Sequence, residues 1–214
     1  MSSDPVYMAE IFDQPDLASA RTIVLTPEDG FSTEDRWNDE TPWLMQQILS
    51  RIDTGGLIVD YGCGVGRVAS ALVEQGASVV GVDISSHMRA HATRQVSDDK
   101  RFVAVTPEMM DRLASAGLQA DALMAIWVLQ HCFDMIKEVQ RIRRLLKRDG
   151  LLMVADMNHR ALPTNQGWMH DGQSTWECLN QHFTLVQRLP FDPPRAPANL
   201  RLNAYLAFFK NSNP

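Results

Sequence analysis

The segment Val59-Asp60-Tyr61-Gly62-Cys63-Gly64-Val65-Gly66-Arg67 constrains this chain more than any other. It carries an apolar run, Leu57–Tyr61, through three closely spaced glycines into a helix-period stretch, Arg67–Gln75. A strand that turns on glycines into a helix leaves main-chain N–H groups open to a ligand, because no side chain stands in the way. The chain then repeats the theme. Short apolar runs at Val79–Asp83, Phe102–Val105, Ala122–Trp127 and Leu151–Ala155 alternate with helical segments. Ser85 caps a helix running to about Gln95, and Thr106-Pro107 supplies a cap with proline at the first helical position. Met135, Val139, Ile142 and Leu146 mark one face of a longer helix that Asp149-Gly150 is expected to end. This rhythm predicts an α/β fold, doubly wound, with a mostly parallel sheet and helices on both faces.

After Asp156 the pattern changes. Met157–Gln173 reads as a long loop and Ser174–Asn180 as a short helix. Phe183–Leu189 and Leu202–Phe209 read as antiparallel strands joined by a Pro-rich turn, Pro190–Pro197. Upstream, Thr41-Pro42 is expected to cap a helix with Leu44, Ile48 and Ile52 on one face. Two units result: residues 1–40 as an acidic N-terminal extension or lid, and 41–214 as a single domain.

Composition narrows the partners. Three scattered cysteines, Cys63, Cys132 and Cys178, make neither a disulfide framework nor a zinc knuckle, as expected of a reducing compartment. The longest apolar run, Ala122–Leu129, is far too short to span a membrane, and the opening Met1-Ser2-Ser3-Asp4 has no features of an export signal. A cytoplasmic chain is expected. A net charge of −6 argues against wrapping nucleic acid. Residues 1–55 hold eleven acids against three arginines. The cations Arg141, Arg143, Arg144, Lys147 and Arg148 fall in the last turns of a predicted helix, where they complement its dipole.

The glycine loop has a second element. Asp83 lies nineteen residues beyond Gly64, at the end of the next strand, where an acid commonly accepts both hydroxyls of a ribose. The dinucleotide fingerprint would need glycine at 62, 64 and 67, but position 67 is Arg and the third glycine arrives at 66. Asp60, immediately before the loop, would repel a pyrophosphate and favour a cation. S-adenosylmethionine carries a sulfonium and an ammonium and no phosphate. The methyl donor is therefore favoured over NAD.

These segments together resemble the class I S-adenosylmethionine-dependent methyltransferases over about residues 40–210. Asp60–Gly66 is similar to their first motif, and Val79–Ser85 to the second-strand motif with its ribose-binding acid. Asp121–Cys132, with Ile126-Trp127-Val128-Leu129-Gln130-His131, resembles the fourth-strand segment that flanks the sulfonium. Leu145–Val154 resembles the helix–turn–fifth-strand motif. The resemblance implies a seven-stranded sheet ending in an antiparallel hairpin. It also implies cofactor contacts from Asp60, Gly62, Gly64, Gly66, Asp83, Ile84, Trp127 and Gln130. The family often places an acid after the third strand to receive the adenine amino group. Glu108 stands there and equally suits the first turn of a helix, while Met109 and Ile84 are either apolar plates for the adenine ring or ordinary core residues.

Methyl transfer from a sulfonium needs the nucleophile, the methyl carbon and the sulfur in line, with water excluded. Trp127 near the sulfonium would favour its charge. An oxygen nucleophile would need a base, for which His131 and His170 are the candidates, with His159 in the same long loop as His170. Arg36 and Trp37 are placed to reach the methionine carboxylate or the pocket mouth, and the segment from Trp168 to Asp171 to cap the acceptor. Asp156, Asn158 and His159 make no persuasive metal set, so no metal is expected. The implied reaction is methylation of a small molecule or sugar. A nucleic-acid or protein methyltransferase and a non-catalytic adenosylmethionine-binding module are the alternatives, with an NAD-dependent reductase behind them. The Asp192-Pro193-Pro194 stretch ends in Arg195 and sits in a turn, unlike the tetrapeptide of base-methylating enzymes.

Overall fold

The strand β1 (Leu57–Tyr61) lies between two parallel neighbours, β2 (Ser78–Val82) and β4 (Ala120–Ile126), and both of its faces are covered. That burial explains why these strands read as continuous apolar runs rather than alternating ones. The computed structural model describes residues 4–96 and 99–212; the first three residues of the acidic extension and the last two of the chain lie outside the described residues. Adding β3 (Phe102–Val105), β5 (Leu146–Met157), β8 (Thr184–Pro190) and β9 (Ala204–Lys210) gives a seven-stranded sheet of order β3-β2-β1-β4-β5-β9-β8. Only β9 runs antiparallel to its neighbours, on both sides. The doubly wound sheet with its C-terminal antiparallel hairpin is as expected.

Helices α2 (Thr33–Leu49), α3 (Arg67–Glu74) and α4 (Ser86–Gln95) cover one face, packing Leu44, Ile48, Leu72 and Ile58 into one core. On the other face lie α5 (Pro107–Ser115), α6 (Met135–Leu145) and α7 (Thr175–His182). Ile142, Leu145 and Leu179 meet Leu123, Val154 and Phe209 there. Among the described residues no helix is long and apolar enough to cross a membrane.

Four local expectations need correction. The helix expected at Thr41-Pro42 begins at Thr33, where Ser32 and Asp35 form a reciprocal capping box, and Pro42 lies inside it. The buried stripe of Arg36, Glu40, Leu44 and Ile48 holds the helix together against the ~3 kcal/mol an interior proline costs. Helix α6 ends at Leu145, before Asp149-Gly150. Leu146 already pairs with Ala120, and the Asn211 side chain takes the carbonyls of Arg143, Leu146 and Lys147. The long loop contains a short hairpin, β6 (Leu162–Thr164) with β7 (Gly167–Met169), and the Pro-rich turn leads into α8 (Ala198–Asn203). The N-terminal stretch is folded too, as a turn at Ala9–Phe12 and helix α1 (Leu17–Val24) capped by Asp16.

Candidate functional site

A cavity of about 1050 Å³ opens at the carboxyl ends of β1, β2, β4 and β5, the edge at which parallel α/β sheets bind ligands. Its floor is the glycine loop. Gly62 and Cys63 both donate their N–H to the Val82 carbonyl (2.7 and 3.0 Å), which tucks the loop against β2. Gly62 and Gly64 hold φ of +74° and +51°. A Cβ on Gly62 would fall 2.4 Å from Val128 Cγ2, and one on Gly64 2.9 Å from Val24 Cγ2. Side chains are excluded by conformation and by space at once.

Asp83 borders the cavity at the end of β2. Its two oxygens accept the N–H of Gly64 and of Ser85, each at 2.9 Å. Burial holds its carboxyl above the usual range against the pull of those donors. Each oxygen keeps a further lone pair, as a receiver of two ribose hydroxyls needs. Ile84, Met88 and Pro107 continue this wall.

Not every expected cofactor residue reaches the cavity. Asp60 is buried behind the loop, where it faces the N–H of Ala69, and burial pushes its carboxyl up to about 7. Gly66 caps α3, packed against the Ala92 main chain. Glu108 and Met109 also lie off the lining. The Glu108 carboxylate is held low by its own N–H and by Thr106, and Met109 is 44 % exposed to solvent.

The opposite wall comes from the end of β4. Trp127 lines the cavity with φ +57°, a left-handed backbone that a bulky residue adopts only when its surroundings impose it. Its ring stands edge-on to Phe191, with centroids 4.7 Å apart. The following turn, Leu129–His131, is fixed by a relay. The Met157 N–H donates to Gln130 Oε1 (3.0 Å), Gln130 Nε2 donates to His131 Nε2 (2.9 Å), and His131 Nδ1 donates to the Ala161 carbonyl (2.6 Å). Burial holds the His131 pKa below its usual value, and the Arg160 charge adds to the effect.

The loop after β5 is clamped to this turn by Arg160. Its guanidinium donates to the Leu129 and Cys132 carbonyls (3.1 and 2.6 Å) and pairs with Asp171 at 3.0 Å. Trp168 reaches the cavity, whereas His170 and Asp171 do not. His170 accepts the Gly172 N–H and stands against His159, and Asp171 is engaged by Arg160. Asp156, at the end of β5, is fully buried with its carboxyl pushed up to about 8. Among the described residues no group of three His, Cys, Asp or Glu side chains is arranged to hold a metal.

Arg36 and Trp37 lie within α2 rather than ahead of it, and only Arg36 lines the cavity. Arg36 donates to Glu40 (2.6 Å) and to the Thr26 carbonyl (2.8 Å), while Trp37 lies under the Arg21 guanidinium. The sequence offered residues 1–40 as an extension or lid without naming the residues that reach the cavity. Tyr7, Phe12, Ile23, Val24 and Thr26 of the N-terminal stretch line the cavity, as do Asn199 and Leu200 of α8. Tyr7 donates to the His131 carbonyl, Asp13 accepts from Ser85, and Glu28 accepts from Asn199. The only signal in the sequence was the acid excess of this stretch.

Residues 59–154 match the model of a methyltransferase domain. A ubiquinone biosynthesis O-methyltransferase of Actinobacillus pleuropneumoniae is 28% identical over 109 residues, which is 49% of this chain and 47% of that protein. The chain thus spans about half the length of the curated relatives it matches. Two solved structures share the fold. One is an N-methyltransferase of Bradyrhizobium japonicum in complex with S-adenosyl-l-homocysteine (TM-score 0.64, 15% identity, 91% of this chain and 97% of that one). The other is magnesium protoporphyrin IX methyltransferase of Synechocystis with bound donor (TM-score 0.66, 16% identity, 94% of each). The glycine floor, the acid at the end of β2 and the matched segment agree: over residues 59–154 this chain is similar to a methyltransferase domain, and its fold is shared with S-adenosylmethionine-dependent methyltransferases.

Proposed function

We propose that the chain transfers a methyl group from S-adenosylmethionine to a small molecule with an apolar or aromatic body. The observation that carries this reading is the single cavity wall that runs from the glycine floor and Asp83 to Phe12, His131, Met157 and Trp168. It gives one enclosure in which donor and acceptor would meet. The residues fit the donor. Gly62 and Gly64 leave room for close approach, Asp83 would hold the ribose, Ile84 and Pro107 would flank the adenine, and Arg36 would face the carboxylate. When bound, the donor supplies an electrophilic methyl with a neutral thioether as its leaving group.

The protein's task is then to orient and to dry the site. Tyr7, Phe12, Ile23 and Val24 cover the cavity and would exclude water. Trp127, held rigid by Phe191 and its own backbone, would face the cation. Among the described residues His131 is the one histidine lining the cavity. Its Nδ1 proton is committed to Ala161, so the Nε2 lone pair, which accepts from Gln130 Nε2, is the basic site. His170, the other candidate base, stands off the cavity and has no part in this reading.

The names of the relatives support the small-molecule reading, and the O-methyltransferases among them suit a base at His131. A sugar would need more polar partners than these walls offer. The −6 charge gives nucleic acid little support. The test is parallel calorimetry with S-adenosylhomocysteine and NADH, followed by a labelled-donor screen over metabolite pools. Binding of NADH alone would overturn the reading, and binding of S-adenosylhomocysteine without any transfer would favour the non-catalytic module.

A further inference from the structure

A second concavity, of about 550 Å³, lies at the other end of the sheet, by the start of β4 and β5. It is lined by Arg143, Arg144 and Arg148, by His182 at the end of α7, and by the amides of Gln119 and Gln140. Among the described residues no carboxylate lines it, on a chain that carries a net charge of −6.

The ordinary reading of this basic run is that it complements the carboxyl end of α6. The structure gives part of that work to other groups. Asn211 Nδ2 reaches the Arg143 carbonyl in the last turn of α6 and those of Leu146 and Lys147 just beyond it, at 2.9 to 3.3 Å, so part of this end is already satisfied. Arg141 turns inward to Asp111 and Glu138, and Lys147 pairs with Asp121 at 2.6 Å. Arg144 reaches Asp111 only at 3.6 Å. Among the described residues, Arg143 and Arg148 form no ion pair. Cations gathered in a concave site with a single distant counter-charge, Asp111 beside Arg144, raise the local positive potential and favour an anion.

We propose that this cleft is a binding site for a small multivalent oxyanion of the pyrophosphate type. Arginine forks match the paired oxygens of a phosphate, and the two unpaired guanidiniums offer that geometry. His182 donates Nδ1 to the Cys178 carbonyl, which fixes its ring at the rim. The occupant is small. A nucleic-acid strand would need a long basic track, and this site is a short group of three arginines beside His182 on an acidic chain. The site lies at the opposite sheet edge from the methyl-transfer cavity and does not depend on that assignment.

Calorimetric titration with pyrophosphate, at low salt and with S-adenosylhomocysteine present to fill the other cavity, tests it. Saturable binding is expected, weakened at least about tenfold in Arg143→Ala/Arg148→Ala. A charge-matched control, Arg94→Ala/Lys100→Ala, is expected to bind as the parent does, since neither residue lines the cleft. Melting curves confirm that both variants fold. ADP lost in the same double variant would extend the site to nucleotide-borne diphosphates. The proposal is overturned by no saturable heat at about millimolar pyrophosphate, by binding that the double variant leaves unchanged, or by equal weakening in the control.

Discussion

The two halves of the large cavity are built differently. The half proposed for the donor is built on main chain: Gly62, Gly64 and Asp83 directly follow the adjacent strands β1 and β2, and backbone N–H groups make their hydrogen bonds. The half proposed for the acceptor is lined by Phe12, Ile23, His131, Trp168 and Leu200, which are far apart in sequence and meet only through folding. Continuous backbone geometry ties the donor half to a few residue types. Side chains gathered from a distance leave the acceptor half free to vary. Substitutions should therefore divide into those that abolish donor binding and those that leave it intact.

The largest effect is expected at the floor. Gly62→Val would place a branched side chain at φ +74°, against Val128, and should abolish S-adenosylhomocysteine binding by calorimetry. Retained binding would show that the floor tolerates side chains and would remove the contrast. Next is Asp83→Ala, which should weaken the same binding more than tenfold, since charge-assisted hydrogen bonds are worth about 1.5–3 kcal/mol.

The third prediction concerns pH. Asp156 and Asp60 are held neutral by burial, with pKa values raised to about 8 and about 7. An unfolded chain ionises such groups near the ordinary pKa of about 3.9. The unfolded state therefore loses its protons first as pH rises, and stability is lost between about pH 4 and 8. Melting temperatures from pH 5 to 9 should fall with rising pH, and Asp156→Asn should flatten the slope. An unchanged slope would mean that Asp156 does not carry the effect.

The smallest effect on the donor is expected from the acceptor half. Trp168→Ala should leave S-adenosylhomocysteine affinity within about twofold while changing which acceptors are methylated in a labelled-donor screen. A large loss of donor affinity would merge the two halves into one.

The same contrast explains what could be read in advance. The alternation of strands and helices, the two C-terminal strands, the glycine turn and the place of Asp83 follow from local periodicity and from contiguous motifs, whereas the strand order is a property of the folded sheet. The start of α2 was misread because Thr41-Pro42 is a strong local signal. What overrides it is a buried stripe on the same helix, anchored by the Ser32–Asp35 box. Glu108, Met109, Gly66 and Asp60 lie in the expected segments, yet the turns of the chain point them away from the cavity.

By itself, the order of residues determined the α/β winding and the donor loop, because strand period, helix period and glycine conformation are properties of short segments. Tertiary structure decided the cover from Tyr7 to Thr26, the turn at Leu129–His131 and the acceptor wall. Those depend on which distant side chains meet once the sheet has closed its two cores, and no local pattern encodes such meetings.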